Sequence, residues 1–314
     1  MIIAMSKVTF LNPRTCGIYK DGGVRYKTDQ KTGMRTKEID NELIEHVIAY
    51  LAKKTPPGGT KIKLDDIFNR KVLVPTYYDE RLNAKFHEML EANGLKSISI
   101  GELLDKKIIM SRGGHGSPGN DQRSGHIPYV KVSDIRGLRV NINPTNLVTA
   151  SVAKRFWRKK DLSGLQAWDI ITPNRASSNI GEFAILLPGE EQIVITKEVF
   201  IFRILKEDAD IDPFYLLWAL SLKSVREQWR RIALMQTNRE DCGDRHREIL
   251  IPMPKSKEWA YQVSKPFRDY FNTVATAKTA FVQGLADTEY EFIANLGATQ
   301  ALVEPAEEQG ETDG

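Results

Sequence analysis

The chain has 314 residues, of which 41% are hydrophobic and 27% charged, with two cysteines and a formal net charge of +4. That length accommodates two compact units or one domain with extended arms. No apolar run nears the roughly 18 residues of a membrane span, MIIAMSKVTF lacks the make-up of a secretory signal, and Cys16 and Cys242 are too few for a disulfide framework or a zinc site. A soluble protein of the reducing cytoplasm, without a membrane partner, is the expectation. The charge is polarised: residues 1–93 carry 16 basic and 12 acidic side chains, residues 94–255 carry 25 and 19, and residues 256–314 carry 4 and 10. A basic middle favours a polyanionic partner, which the acidic C-terminal end would repel.

In chain order, Asp21-Gly22-Gly23 separates Ile18-Tyr19 from Val24-Arg25-Tyr26, a hairpin signal. Between Glu38 and Lys54, Ile39, Leu43, Val47, Ile48 and Leu51 recur at helical spacing, and Pro56-Pro57-Gly58-Gly59 ends the run. Lys71 to Pro75 reads as a short strand or turn, and a helix from about Tyr78 to Ala92 stops at Asn93-Gly94. Residues 1–93 thus read as an arm, a hairpin followed mostly by helices, with no recognisable chemistry.

Residues 94–255 change texture to short β-like runs divided by polar loops, which predicts a mixed α/β domain. Ile98 to Leu104 leads to Lys107–Met110, and a Gly-rich loop spans Arg112 to Gly125. Ile127 to Val132 reads as a strand ending in Ser133-Asp134-Ile135. Trp168 to Arg175 is another strand, with Gly181 to Leu187 as its partner across the loop Ala176 to Ile180. Val194 to Leu205, long and rich in β-branched and aromatic residues, reads as one central strand.

The stretch from Asp212 to Pro254 carries the sharpest pattern. Asp212 is an N-cap and Pro213 suits the first helical position. Continued to Ile232, the helix puts Phe214, Leu217, Trp218, Ser221, Val225, Trp229 and Ile232 on one side and Lys223, Arg226 and Arg230 on the other. Gln236, Thr237, Asn238 and Arg239 follow in a charged loop, and Ile249 to Met253 reads as a short strand. A basic face beside a loop of amides and hydroxyls suits holding phosphates and reading base edges. Most amphipathic helices, however, have a charged outer face and no ligand, so a plain solvated surface stays open.

Residues 256–300 read as one long helix, with Phe267, Tyr270, Phe271, Val274, Ala277, Phe281, Leu285 and Phe292 at spacings of three, four and their multiples. Its apolar stripe needs a partner, either another chain or the N-terminal helices of its own. Residues 301–314 are acidic and nearly free of apolar side chains, a composition that predicts disorder.

Catalytic signatures are missing. Gly113-Gly114-His115-Gly116-Ser117 lacks the Gly-Lys-Ser/Thr ending of a P-loop, and no Gly-x-Ser-x-Gly, His-Glu-x-x-His or Cys-x-x-Cys occurs. Nor is there the Asn/Asp-Pro-Pro-Tyr/Phe motif of an adenine methyltransferase. The chain reads as a binder without a metal or cofactor of its own. The rival reading is a metal-dependent nuclease or DNA-modifying enzyme whose carboxylates gather only on folding; a third is a protein-binding adaptor.

One series of segments resembles a known family. SISIGELLDKKIIMSRGGHGSP (97–118), GHIPYVKVSDIRG (125–137), AWDIITPNRASSNIGEFAILL (167–187), VITKEVFIFRI (194–204), DPFYLLWALSLKSVREQWRRI (212–232) and HREILIPMP (246–254) follow one another as in the target recognition domains of type I restriction-modification specificity (S) subunits. The resemblance covers roughly residues 95–295 and rests on the order of the segments, each weakly specific alone. It implies a non-catalytic subunit that recognises double-stranded DNA and directs a separate adenine methyltransferase, which would bind S-adenosylmethionine, and in some systems a restriction subunit.

Full-length members carry two recognition domains and two long helices. This chain resembles a half-subunit that would self-associate through its C-terminal helix. The family's Pro-Leu-x-Glu-Gln after the last strand is here Pro254-Lys255-Ser256-Lys257-Glu258, which leaves the helix start open. CGIYKDGGVRYKTD, outside the resemblance, is similar to the tail after the catalytic domain of some adenine methyltransferases, which implies that the arm docks on one.

Carried onto this sequence, phosphates would be held by Lys223, Arg226, Arg230 and basic residues of 112–136. Bases would be read by Arg112, His115, Lys131, Ser133 and Arg136, by Asn174, Arg175, Ser177 and Ser178, and by Gln236, Thr237, Asn238 and Arg239. Arg with guanine and Asn or Gln with adenine are the pairings geometry favours. Any one of these residues could equally be a solvated loop side chain.

Overall fold

The computed structural model describes residues 7–56, 58–157, 162–175, 177–206, 210–233 and 241–288, and the chain divides into two units, residues 1–87 and 88–314. In the first unit β1 (Lys7–Phe10) leads to the expected reversal, where Tyr19 N–H donates to the Gly23 carbonyl at 2.7 Å and Gly22 takes φ +86°. β2 (Tyr26–Thr28) pairs antiparallel with β3 (Arg35–Ile39). α1 (Glu42–Leu51) is capped by the Asn41 side chain, which accepts from Ile44 N–H. β4 (Thr60–Lys63) returns to β1, α2 (Leu64–Arg70) follows, and α3 (Arg81–Ala92) begins in this unit and ends in the second. The arm is therefore not mostly helical. Thr60 to Lys63 is too short to signal a strand by alternation, and becomes one because β1 supplies the partner ladder.

The core of this unit contains Phe10 stacked on Tyr78 at 4.7 Å, beside Asp79. Asp79 accepts from Asn12 Nδ2 at 2.7 Å and from Arg81 Nε and Nη2 at 2.9 and 2.7 Å. Burial pushes its pKa up, but the bonds from Arg81 and Asn12 outweigh that and hold it below the usual aspartate value. The sign follows: this stabilisation is complete above the unfolded pKa of about 4 and is lost as the pH falls through the lower, folded value. Thermal unfolding of the chain between pH 6 and 2 should show an acid limb that Asp79→Asn flattens.

In the second unit β5 (Ser97–Ser99) runs straight into α4 (Ile100–Asp105), which corrects the β-like reading of 98–104. Ser99 Oγ accepts from Glu102 N–H at 3.0 Å while the Glu102 carboxylate accepts from Ser99 N–H at 2.9 Å, the reciprocal cap that Ser-Ile-Gly-Glu spells. β6 (Ile109–Gly113), β7 (Ile127–Val130), the small hairpin β8 (Ile135–Arg136) and β9 (Arg139–Val140), then β10 (Leu147–Val148) and α5 (Ala150–Phe156) come next. β11 (Ile170–Pro173) pairs antiparallel with β12 (Ala184–Ile185) as expected. The run 194–205 is two strands rather than one: β13 (Val194–Ile195) and β14 (Val199–Ile204), interrupted at Thr196-Lys197-Glu198. They belong to different sheets. β14 is central in the antiparallel order β12-β11-β14-β6, whereas β13 lies parallel to β7 in the order β10-β7-β13.

β7 is buried on both faces, and its alternation serves two cores. Ile127 and Tyr129 pack with Val148, Val152 and Trp157, while Val130 packs with Ile135, Ile171 and Ile201.

The predicted helix 213–232 is two helices, α6 (Pro213–Ser221) and α7 (Lys223–Ile232), parted at Leu222 with φ −59° and ψ 131°. Asp212 caps α6 as expected, accepting from Phe214 and Tyr215 N–H at 2.9 Å. No Gly or Pro marks the break; packing imposes it. α6 is buried on nearly all sides, whereas α7 lies along β15 (Leu250–Pro252), itself paired with β5. The Gln228 amide donates to the Leu250 carbonyl at 2.8 Å and accepts from Leu250 N–H at 2.9 Å, completing a strand edge that a continued helix could not reach.

α8 (Lys257–Ala286) has 30 residues, about 45 Å at the usual rise. Its buried side, Ala260, Ser264, Phe271 and Ala275, lies with residues that fasten it to the module: Arg268 sits 4.7 Å over the Phe214 ring and pairs with Asp212, and Lys278 pairs with Glu190 at 2.6 Å. Val263, Phe267, Tyr270, Val274, Ala277, Phe281 and Leu285 form a second stripe at spacings of three and four, half-buried or exposed. Residues 289–314 lie outside the described residues. No helix among those described is long and apolar enough to cross a membrane.

Candidate nucleic-acid interface

Three segments remote in sequence meet in the second unit. The Asn179 side-chain amide donates to the Val132 carbonyl at 3.1 Å, tying the loop after β11 to the turn before β8. Ile185 N–H donates to the Leu138 carbonyl at 3.2 Å, which holds the β8–β9 hairpin against β12. On the other flank Arg175 Nε donates to Asp241 at 2.8 Å and Nη1 to Glu198 at 2.6 Å. Cys242 N–H donates to the Asn174 carbonyl at 2.6 Å. The 131–136 turn, the 174–182 loop and the chain entering at Asp241 therefore share one rim.

α7 borders the same rim through Arg226, which pairs with Glu182. Gly181 makes the approach possible. It takes φ +77°, and a Cβ there would meet Arg226 Cγ at 2.9 Å. Lys223 and Arg230 are exposed and Arg226 half-buried, while Val225, Trp229 and Ile232 on the other side are buried. α7 is thus anchored by an apolar face and presents its cations outward, although Arg226 already has an acidic partner.

Of the sequence-derived candidates, Ser133, Arg136 and Ser178 are exposed on this rim and Lys131, Arg175 and Ser177 are half-buried. Asn174 is buried, its amide donating to the Lys197 carbonyl at 3.3 Å. Arg112 and His115 are held by other contacts. Arg112 sits within β6 opposite Ile201, beside Gly164. The His115 ring is committed inside the fold: Nδ1 accepts from Ile195 N–H at 3.0 Å and Nε2 faces the Ser163 carbonyl at 2.8 Å, which leaves no ring nitrogen for a base. Gln236, Thr237, Asn238 and Arg239 lie outside the described residues.

The sequence reading missed Asn179, which ties two loops, and exposed Lys197, beside Asn174 in the break between β13 and β14. The polar Thr196-Lys197-Glu198 inside an apolar run was the available signal. Beside the rim, burial pushes the Cys242 thiol up to about 12, which keeps it a neutral packing group rather than a nucleophile. Burial also lowers the pKa of His246, whose ring lies 4.2 Å from that of Phe200, tilted by 33°. Among the described residues no three His, Cys, Asp or Glu side chains gather so as to hold a metal ion.

No protein-family model and no curated sequence matches the chain. Solved structures do. The S subunit of a type I restriction-modification system from M. genitalium aligns at 15% identity and TM-score 0.36, over 72% of this chain and 55% of its own. The HsdS subunit from Thermoanaerobacter tengcongensis aligns at 14% and 0.35, over 88% and 64%. The chain is structurally similar to type I specificity subunits over most of its length. It spans less than two thirds of either S subunit. The type IIG restriction endonuclease BpuSI aligns at 11% identity and TM-score 0.41, over 67% of this chain and 30% of that enzyme.

Proposed function

We propose that the chain is the sequence-recognising subunit of a type I-like restriction-modification or related defence system, delivering duplex DNA to a partner adenine-N6 methyltransferase and, in some assemblies, a nuclease. The partner supplies S-adenosylmethionine and the chemistry; residues 94–255 supply recognition, the arm 1–93 docks on the methyltransferase, and the long helix joins two copies through its outer stripe. The observation that carries this reading is the meeting of the 131–136, 174–182 and 241 segments on one rim bordered by the cationic face of α7. Phosphates held by Lys223 and Arg230 would fix the register, and Ser133, Arg136 and Ser178 would face base edges.

The test is binding of a fluorescent duplex to the full chain over a range of salt. Each neutralised phosphate contributes about 0.9 to the slope of log affinity against log salt. Lys223→Ala with Arg230→Ala should therefore lower the slope by about 2. An unchanged slope would remove α7 from the interface, and absence of duplex binding at low salt would remove the proposal. Co-purification with an adenine methyltransferase, followed by mapping of methylated adenines, tests the partner.

A further inference from the structure

The solvent face of the β1–β4 ribbon carries three cations and no anion. The strands pair so that Lys7 stands opposite Lys63 and Thr9 opposite Lys61. Side chains two apart on a strand share a face, so these four point one way, with the lysines exposed and Thr9 half-buried. The alternate residues fasten the ribbon on its other side: Phe10 stacks on Tyr78, and Thr60 Oγ1 donates to the Tyr78 carbonyl at 2.7 Å. Like charges directly opposite destabilise a ladder. Other cations of this unit are paired: Arg25 holds Asp40 at 2.9 Å, Lys27 lies 3.5 Å from Glu38, and Arg81 holds Asp79 at 2.7 Å. Among the described residues Lys7, Lys61 and Lys63 have no such partner, although Asp65 and Asp66 follow closely in the first turn of α2, where the helix N-terminus favours them.

A ligand with several negative charges at the spacing of the lysines relieves that repulsion. Lys61 and Lys63 are about 7 Å apart along β4, and Lys7 is about 5 Å across from Lys63. One carboxylate or free phosphate neutralises at most one opposed pair, whereas consecutive phosphates of a nucleic-acid strand repeat at a comparable step. Lysine point charges and a hydroxyl are the donors that hold phosphates without specifying sequence. We infer that the β1–β4 face is a further DNA-contacting surface, holding the phosphate backbone through Lys7, Lys61 and Lys63. It rests on duplex DNA being the ligand of the second unit, and it adds affinity without adding sequence preference.

The experiment is binding of a long fluorescent duplex to the full chain from about 50 to about 200 mM salt. Wild type is compared with a Lys7→Ala, Lys61→Ala, Lys63→Ala variant and with the Lys223→Ala, Arg230→Ala variant. Three lost phosphate contacts lower the slope by about 2.7, so the triple variant loses about 40-fold less affinity across that range than wild type does. The sequence it selects stays that of wild type. Lys7→Glu should lower the slope and also raise the thermal midpoint of the free chain at low salt, because it sets a carboxylate opposite Lys63. The substituted side chains are exposed, and an unchanged far-UV spectrum verifies the fold. A reduced slope in the triple variant beside an unchanged one in the α7 variant would support this face and remove α7. The converse would overturn this inference alone, and absence of duplex binding by wild type would overturn it together with the proposed function. Loss of methyltransferase co-purification at an unchanged slope would make the face a protein dock, and would overturn it too.

Discussion

Asp169→Ala is expected to destabilise the second unit by about 3–5 kcal/mol, the cost of leaving one member of a buried ion pair without its partner. The Asp169 side chain is wholly buried and Arg203 is 18% exposed. The carboxylate accepts from Arg203 Nε at 2.7 Å, from Nη2 at 2.6 Å and from Gln166 N–H at 2.9 Å, and Nη2 also reaches the Gly164 carbonyl at 2.8 Å. Alanine removes every acceptor except Gly164 and leaves the guanidinium charged, since arginine does not give up its proton. Adding Arg203→Met should recover part of the loss, because removing both charges costs less than removing one. Urea unfolding measures both, and a loss below about 1 kcal/mol for Asp169→Ala would mean that water reaches the pair.

Trp229→Ala should cost about 3–5 kcal/mol. Its side chain is fully buried and meets Phe183 edge-on at 5.8 Å, so alanine leaves a cavity under the centre of α7. Trp229→Phe should cost less. The smaller ring leaves a smaller cavity, and Trp229 Nε1–H, buried with no acceptor among the described residues, goes with the indole. The pair separates packing from polarity. Duplex affinity should follow the fold: Trp229→Ala loses it because Lys223 and Arg230 lose their anchor, while Trp229→Phe keeps the wild-type salt slope.

How far these features were legible depends on the range of the physics behind them. The cap at Asp212, the hairpin at Asp21-Gly22-Gly23 and the strands around Ile127, Ile170 and Ala184 are decided by neighbours in the chain, and periodicity found them. The Ser99–Glu102 cap was equally local and was overlooked because Ile98 and Ile100 alternate like a strand. The break at Leu222 is set by Leu250, 22 residues beyond Gln228, and no local signal marks it. The same holds for the rim. Arg175 is oriented by Asp241 and Glu198, 66 and 23 residues away, and the His115 ring is occupied by Ile195 and Ser163, 80 and 48 residues away. A sequence pattern names residues able to touch DNA; the tertiary fold decides which are already spent.

The most direct test of a rim that reads duplex DNA is selection of binding sites from a randomised duplex library by the full chain. One sequence should be enriched, and Ser133→Ala, Arg136→Ala and Ser178→Ala should each relax preference at particular positions by about 1–3 kcal/mol. Lys223→Ala and Arg230→Ala should weaken all sequences alike. No enrichment, or the same enriched sequence from all three rim variants, would contradict the account.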